Sequence, residues 1–307
     1  MAKGERAFID WIRKQRRFDP AAVPIGIGDD MAGLNLAGQG QVLITTDIRL
    51  DGVHFRTESA SPRLIGRKAF GCSMSDAAAM AAMPRAAVAA VALPRDWSME
   101  QARELAAGLL ELADEFDCPL VGGDLTSWDK PLAINVTLIA TESGVPAVRR
   151  SGAKPGDAIL VTGELGGSLA SGRHLSFTPR VREARQLAAA APLHAMIDIS
   201  DGLSCDLGHI CEESEAGCIV DADAIPISPA ARTGTDPLAA ALNDGEDFEL
   251  CFTCSPGDAQ KLLASPVPPI GIALTRIGQI TASKDRWLTF SDGRRQPIAP
   301  GGYEHFR

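Results

Sequence analysis

The chain has 307 residues, 45% of them hydrophobic, which suffices to bury substantial cores and points to two domains. A net charge of −9 argues against a nucleic-acid partner, and an aromatic content of 5% with one tyrosine, Tyr303, supplies no series of base-stacking platforms. No apolar stretch reaches transmembrane length, since the most hydrophobic region, Ala77 to Leu93, is interrupted by Pro84 and Arg85.

Taken in order, Phe8, Ile9 and Ile12 predict an amphipathic first helix, and Glu5 and Asp10 interrupt what would otherwise read as a basic transit peptide. Val42 to Thr46 reads as a strand ending at Asp47. Pro62 to Met83 is alanine-rich with helical spacing, and Pro84 is expected to stop that helix. A strand over Ala86 to Leu93, a helix over Ser98 to Phe116 capped by Ser98, and strands at Pro119 to Val121 and Ile134 to Ala140 follow. The turn formers between Arg149 and Asp157 mark a boundary, giving domains over 1–148 and 149–307.

The second half continues with strands at Ala158 to Thr162, Ala195 to Ile199, Cys218 to Asp221, Phe248 to Thr253, Ile270 to Ile280 and Trp287 to Phe290. Helices are expected over Arg180 to Ala191, Ser200 to Glu215 and Pro256 to Leu263. Such alternation predicts an α/β or α+β layered fold. The seven cysteines lie mostly in apolar runs and read as reduced, buried thiols of a cytoplasmic protein. Cys251 and Cys254 form a lone C-x-x-C inside a strand-like run, which favours core packing over a redox or metal role.

Chemistry concentrates in seven aspartates spread over five short segments: Gly26-Ile27-Gly28-Asp29-Asp30, Thr45-Thr46-Asp47, Ser75-Asp76, Gly122-Gly123-Asp124 and Asp198-Ile199-Ser200-Asp201-Gly202. Each segment by itself has an ordinary structural reading. Asp76 can cap a helix, Ser200 or Asp201 can cap the next one, and Gly-Gly-Asp is a common turn. Together they describe crowded carboxylates that need a cation, and a hard divalent ion such as Mg2+ brings phosphates with it. No Walker lysine follows Gly163-Glu-Leu-Gly-Gly-Ser168, and no G-x-G-x-x-G follows a strand. His54 lacks a serine or cysteine at any triad spacing, so covalent catalysis has no support.

These segments, with Asp51-Gly-Val-His-Phe55, Met74-Ser-Asp-Ala-Ala-Ala-Met80, Arg150-Ser-Gly-Ala-Lys-Pro-Gly-Asp157, Gly245-Glu-Asp-Phe-Glu-Leu250 and Gly302-Tyr-Glu-His-Phe306, resemble the thiamine-monophosphate kinase family over essentially the whole chain. The wider superfamily includes aminoimidazole ribonucleotide synthetase, selenophosphate synthetase and the hydrogenase-maturation carbamoyl dehydratase. The resemblance implies a two-domain synthetase-like fold, a homodimer pairing through its N-terminal sheets, and phosphorylation of thiamine monophosphate by ATP with Mg2+. It assigns magnesium positions to Asp30, Thr45, Thr46, Asp47, Asp76, Asp124, Asp198 and Asp201, with Asp29 supporting the turn. It assigns ATP contacts to Gly123, Asp124, Arg150 and Ser200, and thiamine-phosphate contacts to His54, Glu246 and Tyr303.

Departures from the family pattern are Asp244 for glycine, Phe248 for tyrosine, Ser73 for asparagine, and a short stretch between Thr162 and Asp198. Sister enzymes fit less well. Selenophosphate synthetases carry a reactive cysteine or selenocysteine near the N-terminus, whereas the first cysteine here is Cys72. The chain ends His305-Phe306-Arg307, without the terminal cysteine of the dehydratases. A noncatalytic binder of nucleotide or thiamine phosphate is the alternative from another class.

Overall fold

The computed structural model describes residues 9, 12–14, 19–36, 40–264, 271–299 and 301–303. Ile9 and Ile12 of the expected first helix are helical, while Phe8, Ile270 and Glu304 to Arg307 lie outside the described residues.

In the first half, β1 (Ala32–Leu36), β2 (Gly40–Leu50), β3 (Met83–Pro94), β4 (Leu120–Trp128) and β5 (Ala133–Thr141) form a sheet ordered β1-β2-β5-β3-β4. β3 and β4 are parallel and joined through helix α2 (Met99–Glu115); the other neighbours are antiparallel. Strand alternation gives the sheet two unlike faces. In β5, Ile134, Val136, Leu138 and Ala140 are buried, whereas Asn135, Thr137 and Ile139 alternate with them on the other face. Among the described residues, helices cover only the first face.

α2 begins at a capping box between Ser98 and Gln101 and buries Leu105, Leu109 and Leu112 along one stripe. Helix α1 (Pro62–Ala79) is different, because small and apolar residues surround it. It is buried on several sides, packing on the first sheet, on α2 and on elements of the second half. Close approach of α1 and α2 requires glycine at the crossing. A Cβ at Gly66 would lie 2.1 Å from the Leu105 carbonyl oxygen, and one at Gly108 would lie 1.9 Å from that of Arg63.

The second sheet comprises β6 (Ala158–Thr162), β7 (Leu193–Asp198), β8 (Gly217–Asp221), β9 (Leu250–Cys254), β10 (Leu274–Thr281), β11 (Arg286–Thr289) and β12 (Arg295–Pro297), ordered β12-β11-β8-β10-β6-β9-β7. Its helices are α3 (Ser168–Ser171), α4 (Arg173–Ser176), α5 (Val181–Ala190), α6 (Leu203–Glu213), α7 (Pro229–Arg232), α8 (Pro237–Asn243) and α9 (Pro256–Ala264). Central strands β6 and β9 are buried throughout, as a sheet covered on both faces requires. Leu160, Phe252 and Cys254 join the core around α1, while Ile159, Val161 and Cys251 join the core around α6. The C-x-x-C pair therefore points to opposite faces, and all seven cysteines are free thiols.

Several boundaries differ from the sequence expectation. β2 continues past Asp47 to Leu50, because alternation persists beyond the polar Thr45-Thr46-Asp47. α1 ends at Ala79, well before Pro84, which lies inside β3 beside a register shift between Pro84 and Ala86. β4 runs to Trp128, so Gly122-Gly123-Asp124 is strand rather than turn. A Cβ at Gly123 would sit 1.9 Å from the Ala89 carbonyl oxygen, so that glycine serves close strand pairing. β1, β12 and the short helices α3, α4, α7 and α8 escape sequence reading because they are too brief to show a period.

Candidate functional site

Three carboxylates from distant segments converge where the two halves meet. Asp30 comes from the loop before β1, Asp76 from α1 and Asp198 from the last position of β7, with oxygen atoms within 4.8 Å of one another. Ser75 Oγ donates to Asp198 Oδ2 at 2.6 Å, so two successive residues of α1 touch the cluster. Thr45 Oγ1 donates to Asp76 Oδ2. Arg150 grips Asp30 with two bonds, Nη2 to Oδ1 at 2.7 Å and Nε to Oδ2 at 3.1 Å. Asp29 supports that grip, accepting from the Arg150 backbone N–H at 2.7 Å and from Arg149 Nε at 2.9 Å.

One arginine cannot neutralise this group. Burial pushes Asp198 up to about 7, with the Asp30 charge adding to it. Burial, then repulsion from Asp47, Asp198 and Asp30, holds Asp76 well above the carboxylate range. Asp30 is raised by burial, with Arg150 opposing. Crowded, desolvated carboxylate oxygens are the donor set of a hard divalent cation, so the residues fit magnesium.

The sign of the pH effect follows. A carboxyl whose folded pKa is raised keeps its proton in the folded chain after the unfolded chain has lost it. Asp198 therefore subtracts stability as pH rises from the unfolded value, near 3.8, to about 7. Magnesium binds the ionised form, so its stabilising effect grows over the same range. Thermal midpoints measured from pH 5 to 8 are expected to fall with pH in EDTA, and the gain from added magnesium is expected to widen. Parallel curves would reject cation binding at this cluster.

The remaining expected metal positions divide. Thr45 and Asp47 share the α1-facing side of β2, where Asp47 accepts from Ser73 Oγ at 3.3 Å and from Arg49 Nη2 at 3.0 Å. Thr46 points the opposite way, bonded to Thr137 Oγ1 at 2.9 Å and Asn135 Oδ1 at 3.1 Å. Asp124 is opposite Ala90, which is opposite Asn135, so it shares the uncovered face with Thr46. Asp201 belongs to a separate group with Cys205, Asp206 and His209 at the start of α6. Asp206 Oδ2 there accepts from the backbone N–H groups of Ser200, Asp201 and Gly202 at 3.0–3.1 Å, doing the capping work that the sequence suggests for Ser200 or Asp201.

Tyr303 lies at this second group, its backbone N–H donating to the Asp201 carbonyl at 3.1 Å and its side chain half exposed. His54 Nδ1 accepts from the Leu50 N–H at 3.0 Å in the turn after β2. Glu246 crosses to the first half and pairs with Lys68.

Residues 28–142 match the AIR synthase related protein N-terminal domain and residues 154–289 match its C-terminal domain. The thiamine-monophosphate kinase of Rhodopirellula baltica is 38% identical over 314 residues, covering 98% of this chain and 97% of its own length. This chain belongs to the thiamine-monophosphate kinase family. The family's Escherichia coli K12 member is 34% identical, with 100% of this chain and 99% of that one covered. Among solved kinase structures, AaThiL complexed with AMPPCP and TMP matches with a TM-score of 0.84 at 28% identity, covering 99% of this chain and 97% of its own.

The positions where this kinase departs from the family pattern are built into its packing. Phe248 stacks on Phe177 with ring centroids 3.9 Å apart, Asp244 accepts from the Gly167 N–H at 3.1 Å, and Ser73 bonds Asp47. The short 163–197 segment is tied to the second sheet side by Arg173 to Asp247 at 2.6 Å and Arg180 to Glu249 at 2.6 Å. Sequence reading missed Ser75, Lys68, Arg49 and Asp206. For Ser75 a signal exists, since it stands in a quoted segment beside Asp76, and for Arg49 strand alternation puts it on the side of Asp47. Asp206 lies beyond the quoted Asp198 to Gly202 segment, and Lys68 gives no signal because its partner Glu246 depends on the fold.

Proposed function

We propose that the chain transfers the γ-phosphoryl group of ATP to the phosphate of thiamine monophosphate, yielding thiamine diphosphate and ADP. The convergence of Asp30, Asp76 and Asp198 beside Arg150 carries this reading. The full-length kinase relatives and the AaThiL complex with an ATP analogue and TMP support it. The acceptor is a phosphate monoester with a second pKa of about 6, so it is already nucleophilic at neutral pH. Transfer then needs no general base and no phosphoenzyme; positioning and charge neutralisation suffice.

Asp30, Asp76 and Asp198, with Thr45 and Asp47, are the proposed holders of magnesium, which when bound neutralises charge on the phosphates. Arg150, Gly123 and Ser200 are assigned to the nucleotide and His54, Glu246 and Tyr303 to the acceptor. We place the domain division near residue 149 and the enzyme in the cytoplasm. It is proposed to act as a homodimer joined through the uncovered sheet face, which would put Thr46 and Asp124 between the copies. The test is incubation of the purified chain with ATP, magnesium and thiamine monophosphate. Thiamine diphosphate should form in step with ADP, and ATP loss without diphosphate, or binding without turnover, would reject the activity.

A further inference from the structure

Beside the carboxylate cluster lies a locus of opposite charge to which neither the family pattern nor the roles above give a task. Lys68 of α1 is fully buried, and among the described residues its ammonium bonds only the Glu246 carboxylate, with the Phe248 ring 5.9 Å away. An ammonium carries three donors, so two remain without an acceptor. Arg49 enters the same locus from β2, since its Nη2 bonds Asp47 at 3.0 Å and Asp47 in turn accepts at 3.3 Å from Ser73, which stands little more than one turn beyond Lys68 on α1. The Arg49 side chain is 15% exposed. Its Nε is sealed from solvent without a partner.

Buried cationic donors without acceptors are costly, and a fold retains them where a ligand completes the set. The loop that covers them is strained as well. Glu246 and Phe248 have φ of 56° and 51°, left-handed backbone that bulky side chains avoid, pinned by bonds to the Ser200 and Ile199 carbonyls at 2.7 and 2.8 Å.

We propose that Arg49 and Lys68 form the seat for the acceptor's phosphate, and that Glu246 is a stand-in anion which that phosphate displaces. The proposal rests on thiamine monophosphate being the acceptor. A phosphate monoester offers three acceptor oxygens to the open donors, which a single carboxylate does not satisfy. Position agrees with charge. Arg49 is held by Asp47, whose charge bears directly on Asp76, so a phosphate on Arg49 sits beside the carboxylates that serve the incoming nucleotide.

Arg49→Gln in the full chain, studied by titration calorimetry and steady-state kinetics, tests the seat. Affinity for thiamine monophosphate should fall roughly 10- to 100-fold, while affinities for unphosphorylated thiamine and for an ATP analogue stay unchanged. The Michaelis constant for thiamine monophosphate should rise without that for ATP, and Arg49→Lys should recover part of the loss. An unchanged response to thiamine monophosphate, or weakening of all three ligands in step, overturns the seat. The pair Lys68→Met with Glu246→Gln removes both buried charges together and should abolish the preference for the phosphorylated ligand. Inorganic phosphate separates the two readings. A wild-type chain that phosphate stabilises through Arg49 but that makes no thiamine diphosphate overturns the kinase activity alone. A chain that makes it with unaltered constants in Arg49→Gln overturns the seat alone.

Discussion

Asp76→Asn is expected to abolish most turnover and, in the absence of metal, to make the protein more stable. Asp76 lies half-buried in the last turn of α1, bonded by Thr45, and repelled by Asp47, Asp198 and Asp30. Loss of a supporting group at a metal site costs about 10–100-fold, and loss of a central carboxylate should cost at least the upper end of that range. Asparagine keeps an oxygen for Thr45 but ends the repulsion, so the ligand-free thermal midpoint should rise at pH 7–8, by about 2–4 °C for each kcal/mol relieved. That gain should vanish near pH 4, where the native carboxyl is protonated too. Magnesium should raise the midpoint of the wild type and leave the variant unmoved. Turnover close to wild type at saturating magnesium, or a less stable ligand-free variant, would remove Asp76 from the site. The trade of stability for charge is typical of functional carboxylates.

The second large effect concerns assembly. Ile139 stands in the central strand of the uncovered face, 40% exposed, with Val88 at 40% and Ile48 at 54% on neighbouring strands. A sheet face rich in exposed apolar side chains is a docking surface, and a second copy is the occupant proposed above. Ile139→Lys should convert a dimer into a monomer. A buried isoleucine is worth roughly 1.5–3 kcal/mol, counted twice by two-fold symmetry, before the cost of desolvating two ammonium groups is added. The dissociation constant should rise by at least about two orders of magnitude. Sedimentation velocity would show the mass halve. A wild-type monomer, or an unaffected dimer, would reject pairing through this face.

Much of this was legible in the residues. Ser98 announces the start of α2, the apolar run from Ala158 to Thr162 marks a strand, and the five aspartate segments name the chemistry. These signals are local, set by side-chain period, capping and charge type, so they survive without a fold. What tertiary structure alone decided is which carboxylates meet. Asp76 is neither a cap nor a loop residue; it reaches Asp198, 122 positions away, because α1 is packed between the two halves. Thr45 and Thr46 are chemically alike, yet strand alternation with the observed register sends one to Asp76 and the other to Thr137. Lys68 offers no pattern at all until Glu246, 178 residues on, is folded against it. A sequence specifies such groups, but pairing across long separations depends on how helices and sheets stack, which only the assembled core determines.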